Sequence, residues 1–96
     1  MQLFECHITV RLQDAEPAGR IASENGWKTS EIARDPVLGN ASWFYLTSHG
    51  STYESIYRRM CACELALEAV GLTVVRSKIE QILHDTKTGI YQGRQE

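Results

Sequence analysis

The most constraining feature of this 96-residue sequence is an unbroken alternation of apolar and polar side chains near its start. A period of two over FECHITVRL, residues 4–12, is typical of a β-strand with one buried face, and it predicts a strand over residues 3–12. The apolar positions, which we expect to face a core, are Phe4, Cys6, Ile8, Val10 and Leu12. The polar positions, which must then face the opposite way, are Glu5, His7, Thr9 and Arg11.

The next segments predict one helix and two strands. Residues 14–25 carry an apolar stripe at helical spacing, with Asp14 as the expected N-cap and Asn25-Gly26 as the stop. Residues 26–32 are a modest strand candidate. After a connection that contains Asp-Pro and Gly-Asn breaks, residues 42–49 predict a stronger strand.

The second half of the chain begins with the clearest helix signal. Ser51 and Glu54 fit a capping box, apolar residues then recur at intervals of three and four, and Gly71 marks the stop. Residues 72–83 are rich in β-branched side chains and predict the last strand. Residues 86–96 form a polar C-terminal tail, which we expect to be loose or to add a short edge strand.

The order strand, helix, strand, strand, helix, strand predicts an α+β fold of the ferredoxin-like βαββαβ type. We expect one domain over residues 1–85, with a four-stranded antiparallel sheet and both helices on one of its faces. The spatial order would be last, first, third and second strand. The first strand is then central, so its polar face has a neighbour on each side.

Side-chain parity in the three adjacent strands sends polar and aromatic groups to one surface. The third strand turns Trp43, Tyr45, Thr47 and His49 outward if Phe44 and Leu46 face the helices. The last strand turns Arg76, Lys78 and Glu80 outward if Val75 and Ile79 face inward. This convergence is the strongest functional signal in the sequence.

Composition limits the classes of partner. A net charge of −2 and a pI of about 5.9 provide no general attraction to nucleic acid or to an anionic membrane. No signal peptide or membrane-spanning segment is evident, and the three cysteines lack the spacing of a disulfide framework, so we predict a cytoplasmic protein. We predict no cofactor and no metal site, because the chain has no glycine-rich phosphate loop and no second paired motif beside Cys61 and Cys63.

The segment His7-Ile8-Thr9, followed by apolar Val10, has the H-x-T-apolar form and resembles the motif of the 2H phosphoesterases. In that family two such motifs lie on neighbouring central strands, where the histidines act as general acid and base and the hydroxyls hold the phosphate. The resemblance implies an acid-base role for His7 and a phosphate-binding role for Thr9. The second candidate, His49-Gly50-Ser51, departs from the motif, since no apolar residue follows it, and the chain has about half the length of such enzymes.

Three hypotheses follow for the outward face. The first is a site for a small phosphorylated or anionic, nucleotide-like ligand, with phosphodiesterase or cyclic-phosphate chemistry if it is an enzyme. The second is a protein-interaction or regulatory surface, including a homodimer, centred on Trp43 and Tyr45. The third is a structural face whose charges only pair across strands.

Under the first hypothesis the outward residues divide into two groups. The expected catalytic residues are His7, Thr9 and Tyr45. The expected ligand-binding residues are Glu5, Arg11, Trp43, Thr47, His49, Arg76, Lys78 and Glu80.

Overall fold

The computed structural model describes residues 2–39, 42–85 and 90–91. Its strands and helices, in chain order, are β1 (Phe4–Arg11), α1 (Ala15–Asn25), β2 (Lys28–Ile32), β3 (Trp43–Gly50), α2 (Tyr53–Ala69), β4 (Arg76–Gln81), β5 (His84–Asp85) and β6 (Ile90–Tyr91). None of the helices in the described part of the chain combines the length and the apolar character needed to cross a bilayer.

The main sheet has the strand order β2-β3-β1-β4, with every neighbouring pair antiparallel. This is the order expected for a ferredoxin-like fold, so the predicted fold class is confirmed. Strand β1 is central and is paired with β3 on one side and β4 on the other.

The core lies between one face of this sheet and the two helices. The inward residues of β1, namely Cys6, Ile8 and Val10, are completely buried and belong to one cluster with residues of both helices. The helix residues in this cluster are Ala18, Ile21, Ala22, Ile56, Cys63 and Leu67. The alternation of β1 therefore has the predicted direction.

The core cysteines are free thiols. Burial raises the pKa of Cys6 to about 12 and that of Cys63 to about 11, with the Glu64 carboxylate adding to both shifts. Both thiols are consequently protonated at neutral pH and behave as small apolar side chains.

Several predicted boundaries differ from the structure. A short 3₁₀ turn, Leu12–Asp14, precedes α1, and the side chain of Asp14 makes no capping hydrogen bond. The N-cap of α2 is Thr52 and not Ser51, because the Thr52 hydroxyl is the group that accepts the backbone N–H of Ser55, at 3.1 Å. The last strand is also shorter than predicted, since β4 begins at Arg76.

Gly50 is the last residue of β3 and lies opposite Phe4. It is needed there for close packing against α2. A Cβ atom at this position would lie 2.9 Å from the Ser55 hydroxyl oxygen and 3.3 Å from Cβ of Ile56.

Beyond β4 the chain forms a second, two-stranded antiparallel sheet from β5 and β6, separate from the main sheet. The pairing joins His84 to Tyr91 and Asp85 to Ile90 across the predicted boundary between domain and tail. The rest of the predicted tail, residues 86–89 and 92–96, lies outside the described residues.

The position of the α2 cap gives a direct test of the fold. We expect Thr52→Ala to lower the free energy of unfolding by about 1 kcal/mol, because one N–H of the first helical turn loses its acceptor. Ser51→Ala, one residue earlier, is the matched control and should change the unfolding free energy much less. Chemical denaturation of the two variants would measure this difference, and equal losses would contradict the assignment of Thr52 as the cap.

Candidate functional site

The face of the sheet opposite the helices carries the predicted polar residues in three cross-strand rows. Each row has its centre on β1 and its ends on β3 and β4. The rows are His49–Glu5–Glu80, Thr47–His7–Lys78 and Tyr45–Thr9–Arg76. The predicted convergence of these nine residues on one surface is present in the structure.

One end of this face is covered by the connection between β2 and β3. Asp35, in this connection, is only 3% exposed, and its carboxylate accepts the backbone N–H of Val37 at 2.7 Å and of Leu38 at 2.9 Å. Its other oxygen accepts the hydroxyl proton of Tyr45, and the Arg76 guanidinium lies 3.9 Å from the carboxylate. The loop is therefore attached to both β3 and β4.

Local sequence explains the shape of this connection. The side chain of Asp35 accepts the backbone N–H groups of Val37 and Leu38 and so forms an Asx turn, a conformation that aspartate favours. Gly39 closes the turn in the left-handed region, with φ 97°, and exchanges two backbone hydrogen bonds with Asp35. This geometry directs the carboxylate at the sheet.

The contacts of Asp35 define a covered half of the face, consisting of Thr9, Asp35, Tyr45 and Arg76. Asp35 joins the two strands on either side of Thr9, and Thr9 is only 3% exposed. Thr9 therefore offers almost no surface to a ligand in this structure. The Arg76 charge is also already opposed by a carboxylate within the protein.

The remaining rows define an uncovered half, which contains Glu5, His7, Thr47, His49, Lys78 and Glu80. Here one carboxylate joins two imidazoles from neighbouring strands. Oε1 of Glu5 lies 3.0 Å from Nε2 of His7, and Oε2 of Glu5 lies 2.9 Å from Nε2 of His49. Because an ionised carboxylate only accepts hydrogen bonds, Nε2 of each imidazole donates to Glu5.

The two imidazoles differ in their remaining contacts. Nδ1 of His7 is 2.9 Å from the Thr47 hydroxyl, so both ring nitrogens of His7 have a protein partner, and the side chain is 19% exposed. His49 is 42% exposed, and within the described residues its Nδ1 has no hydrogen-bond partner. The ring of Tyr45 lies beside that of His7, with 5.5 Å between centroids.

The other charges of the uncovered half come from β4. Nζ of Lys78 lies 3.6 Å from a carboxylate oxygen of Glu80, and both side chains are partly exposed. Glu80 in turn lies opposite Glu5 in the sheet, and Glu5, His7 and Glu80 bring potential metal-ligating atoms within 4.8 Å of one another. The half thus contains two carboxylates, two imidazoles and one ammonium.

The aromatic residues of the face are less exposed than the interaction hypothesis assumed. Trp43 and Tyr45 are half-buried, the indole Nε1–H of Trp43 is buried without a partner among the described residues, and the Tyr45 hydroxyl is bonded to Asp35. Arg11 lies opposite Trp43 at the covered end and is exposed. Neither Arg11 nor Trp43 lies in the three cross-strand rows.

Asp35 is the contributor to this surface that sequence reasoning missed. The Asp-Pro step was interpreted only as a break between two strands. The available signal was the run Asp-Pro-Val-Leu-Gly, which is typical of an Asx turn.

Compared with known proteins, the chain matches no family model and no curated protein sequence.

The contacts of Asp35 predict a specific pH dependence. The N–H groups of Leu38 and Val37 hold the pKa of the Asp35 carboxyl below its usual range, against the opposing effect of desolvation, and Arg76 and Lys78 lower it further. A carboxyl whose pKa is lower in the folded than in the unfolded state stabilises the fold above the unfolded pKa of about 4. That stabilisation is lost as the pH falls from there through the folded pKa.

We therefore expect wild type to be more stable than Asp35→Asn near neutral pH, with the difference shrinking below a pH of about 4. Denaturation of both proteins across this range would measure the difference. Tyr45→Phe, which removes one neutral donor to Asp35 and no charge, is the control and should show a smaller change with pH. A constant difference between wild type and Asp35→Asn would contradict the ionised, hydrogen-bonded state assigned to Asp35.

Proposed function

We propose that the uncovered half of the sheet face binds a small phosphorylated ligand. The observation that carries this proposal is the bridge formed by Glu5 between His7 and His49, beside Lys78. These groups come from three adjacent strands of one rigid sheet, so their positions are held by backbone pairing. Sites on such elements keep their geometry better than sites on loops.

The donors in this half suit a phosphate group. The Lys78 ammonium offers three hydrogen-bond donors and a positive charge, and among the described residues it pairs only with the exposed carboxylate of Glu80. Exposed pairs of this kind contribute about 0–1 kcal/mol, so a phosphate can displace Glu80 at small cost. Arg76 is less suited to this role, because Asp35 already opposes its charge.

The imidazoles allow acid-base chemistry on the bound phosphate. His49 is the better candidate for proton transfer, because Glu5 holds its Nε2 while the ring remains partly exposed. A carboxylate that accepts from one ring nitrogen orients the imidazole, as in other acid-base sites. Hydrolysis of a phosphodiester or cyclic phosphate is the reaction class that this arrangement favours.

These roles differ from those implied by the resemblance to 2H phosphoesterases. The resemblance gave proton transfer to His7 and phosphate binding to Thr9. Both ring nitrogens of His7 are engaged, and Thr9 is covered, so we assign proton transfer to His49 and phosphate binding to Lys78. His7 would help to orient the Glu5 carboxylate.

A ligand screen followed by titration calorimetry tests the proposal. Nucleotides, cyclic dinucleotides and sugar phosphates would be screened by thermal shift, and a compound that raises the melting temperature of wild type would be titrated. We expect Lys78→Ala to weaken its binding by about tenfold or more, the loss typical of one charge-assisted hydrogen bond.

Arg58→Ala is the matched control for this experiment, since it removes one positive charge from the exposed surface of α2. It should leave ligand affinity unchanged. If no compound binds wild type, or if Lys78→Ala binds as tightly as wild type, the uncovered half is not the proposed phosphate site.

A further inference from the structure

We infer that the uncovered half also holds a divalent transition-metal ion, coordinated by Glu5, His7 and Glu80. One ligand atom from each of these side chains lies within 4.8 Å of the other two. In a tetrahedral zinc site, bonds of about 2.1 Å place neighbouring ligand atoms about 3.4 Å apart. The pair formed by Nε2 of His7 and Oε1 of Glu5, at 3.0 Å, is already near that separation.

The sheet register supplies a separate argument for a cation. Glu5 and Glu80 are direct cross-strand partners on the same face. Like charges in directly opposite positions destabilise an antiparallel pair. Lys78 lies near Glu80, but its contact of 3.6 Å reaches only one of the two carboxylates. A cation between Glu5 and Glu80 would relieve the repulsion between them.

The groups around this cluster orient the proposed ligands. With Nε2 of His7 bound to a metal ion, the proton of the ring moves to Nδ1, which then donates to the Thr47 hydroxyl 2.9 Å away. Metal-binding histidines commonly make such a hydrogen bond through the other nitrogen. His49 holds Oε2 of Glu5, which leaves Oε1 directed at His7 and available to the metal.

The donor set indicates the class of metal. One imidazole nitrogen with two carboxylate oxygens suits zinc and related first-row divalent ions, whereas magnesium prefers oxygen ligands alone. Three protein ligands leave coordination positions for water or for an oxygen of an anionic ligand. The metal site does not depend on the proposed phosphate function, although a bound cation would offset the carboxylates that oppose an anion there.

Zinc titration calorimetry without any phosphate ligand tests this inference. All proteins would carry Cys61→Ser, because Cys61 is a partly exposed thiol able to bind zinc by itself. We expect the parent to bind one zinc ion per chain and not to bind magnesium measurably. His7→Ala and Glu80→Gln should each weaken zinc binding by at least about tenfold, and Thr47→Val, which removes only the acceptor for Nδ1, by about tenfold.

Two further variants separate this inference from the proposed function. Lys78→Ala removes a positive charge beside the metal and should bind zinc as tightly as the parent or more tightly, although it is expected to lose phosphate binding. Glu31→Gln, on an exposed position of edge strand β2, should leave zinc affinity unchanged. Absence of saturable zinc binding, or equal affinity in the parent, His7→Ala and Glu80→Gln, would overturn the proposed metal site.

Discussion

Burial of one side of β1 is the constraint on which the rest of the structure depends. Cys6, Ile8 and Val10 have no exposed surface, and β1 pairs with a strand on each side. Full burial of an aliphatic side chain is worth about 1.5–3 kcal/mol, whereas a polar cross-strand pair is worth about 0.2–1 kcal/mol. The apolar set therefore fixes the register, and a slip by one residue would place Glu5 and His7 in the core.

Because the buried apolar side of β1 sets the register, the polar face of the sheet can carry groups whose mutual contacts are unfavourable for stability. The apposition of Glu5 and Glu80 is one such contact. The hypothesis of a purely structural face, whose charges only pair across strands, predicts opposite charges in directly opposite positions. Lys78 does lie near Glu80, but on the same strand, and the row centred on Glu5 places two carboxylates directly opposite each other.

Sequence reasoning recovered the features that depend on local periodicity. The direction of the alternation in β1 and the order of strands and helices follow from patterns a few residues long, and the three rows on the sheet follow from these. The cap of α2 was wrong because Ser51 and Thr52 are both suitable residues, and only the geometry at Ser55 distinguishes them. The covered half was missed because Asp35 meets Tyr45 and Arg76 through tertiary contacts that no local pattern specifies.

The same distinction explains why no metal site was expected from the chain. Metal-binding motifs are recognised by ligand spacing along the sequence, whereas Glu5 and Glu80 become neighbours only through the pairing of β1 with β4. The alternation of β1 puts His7 two positions from Glu5 on the same face, and Thr47 reaches His7 from β3. Antiparallel pairing of a central strand thus assembles, from three distant segments, a set of ligands and orienting groups that no single segment contains.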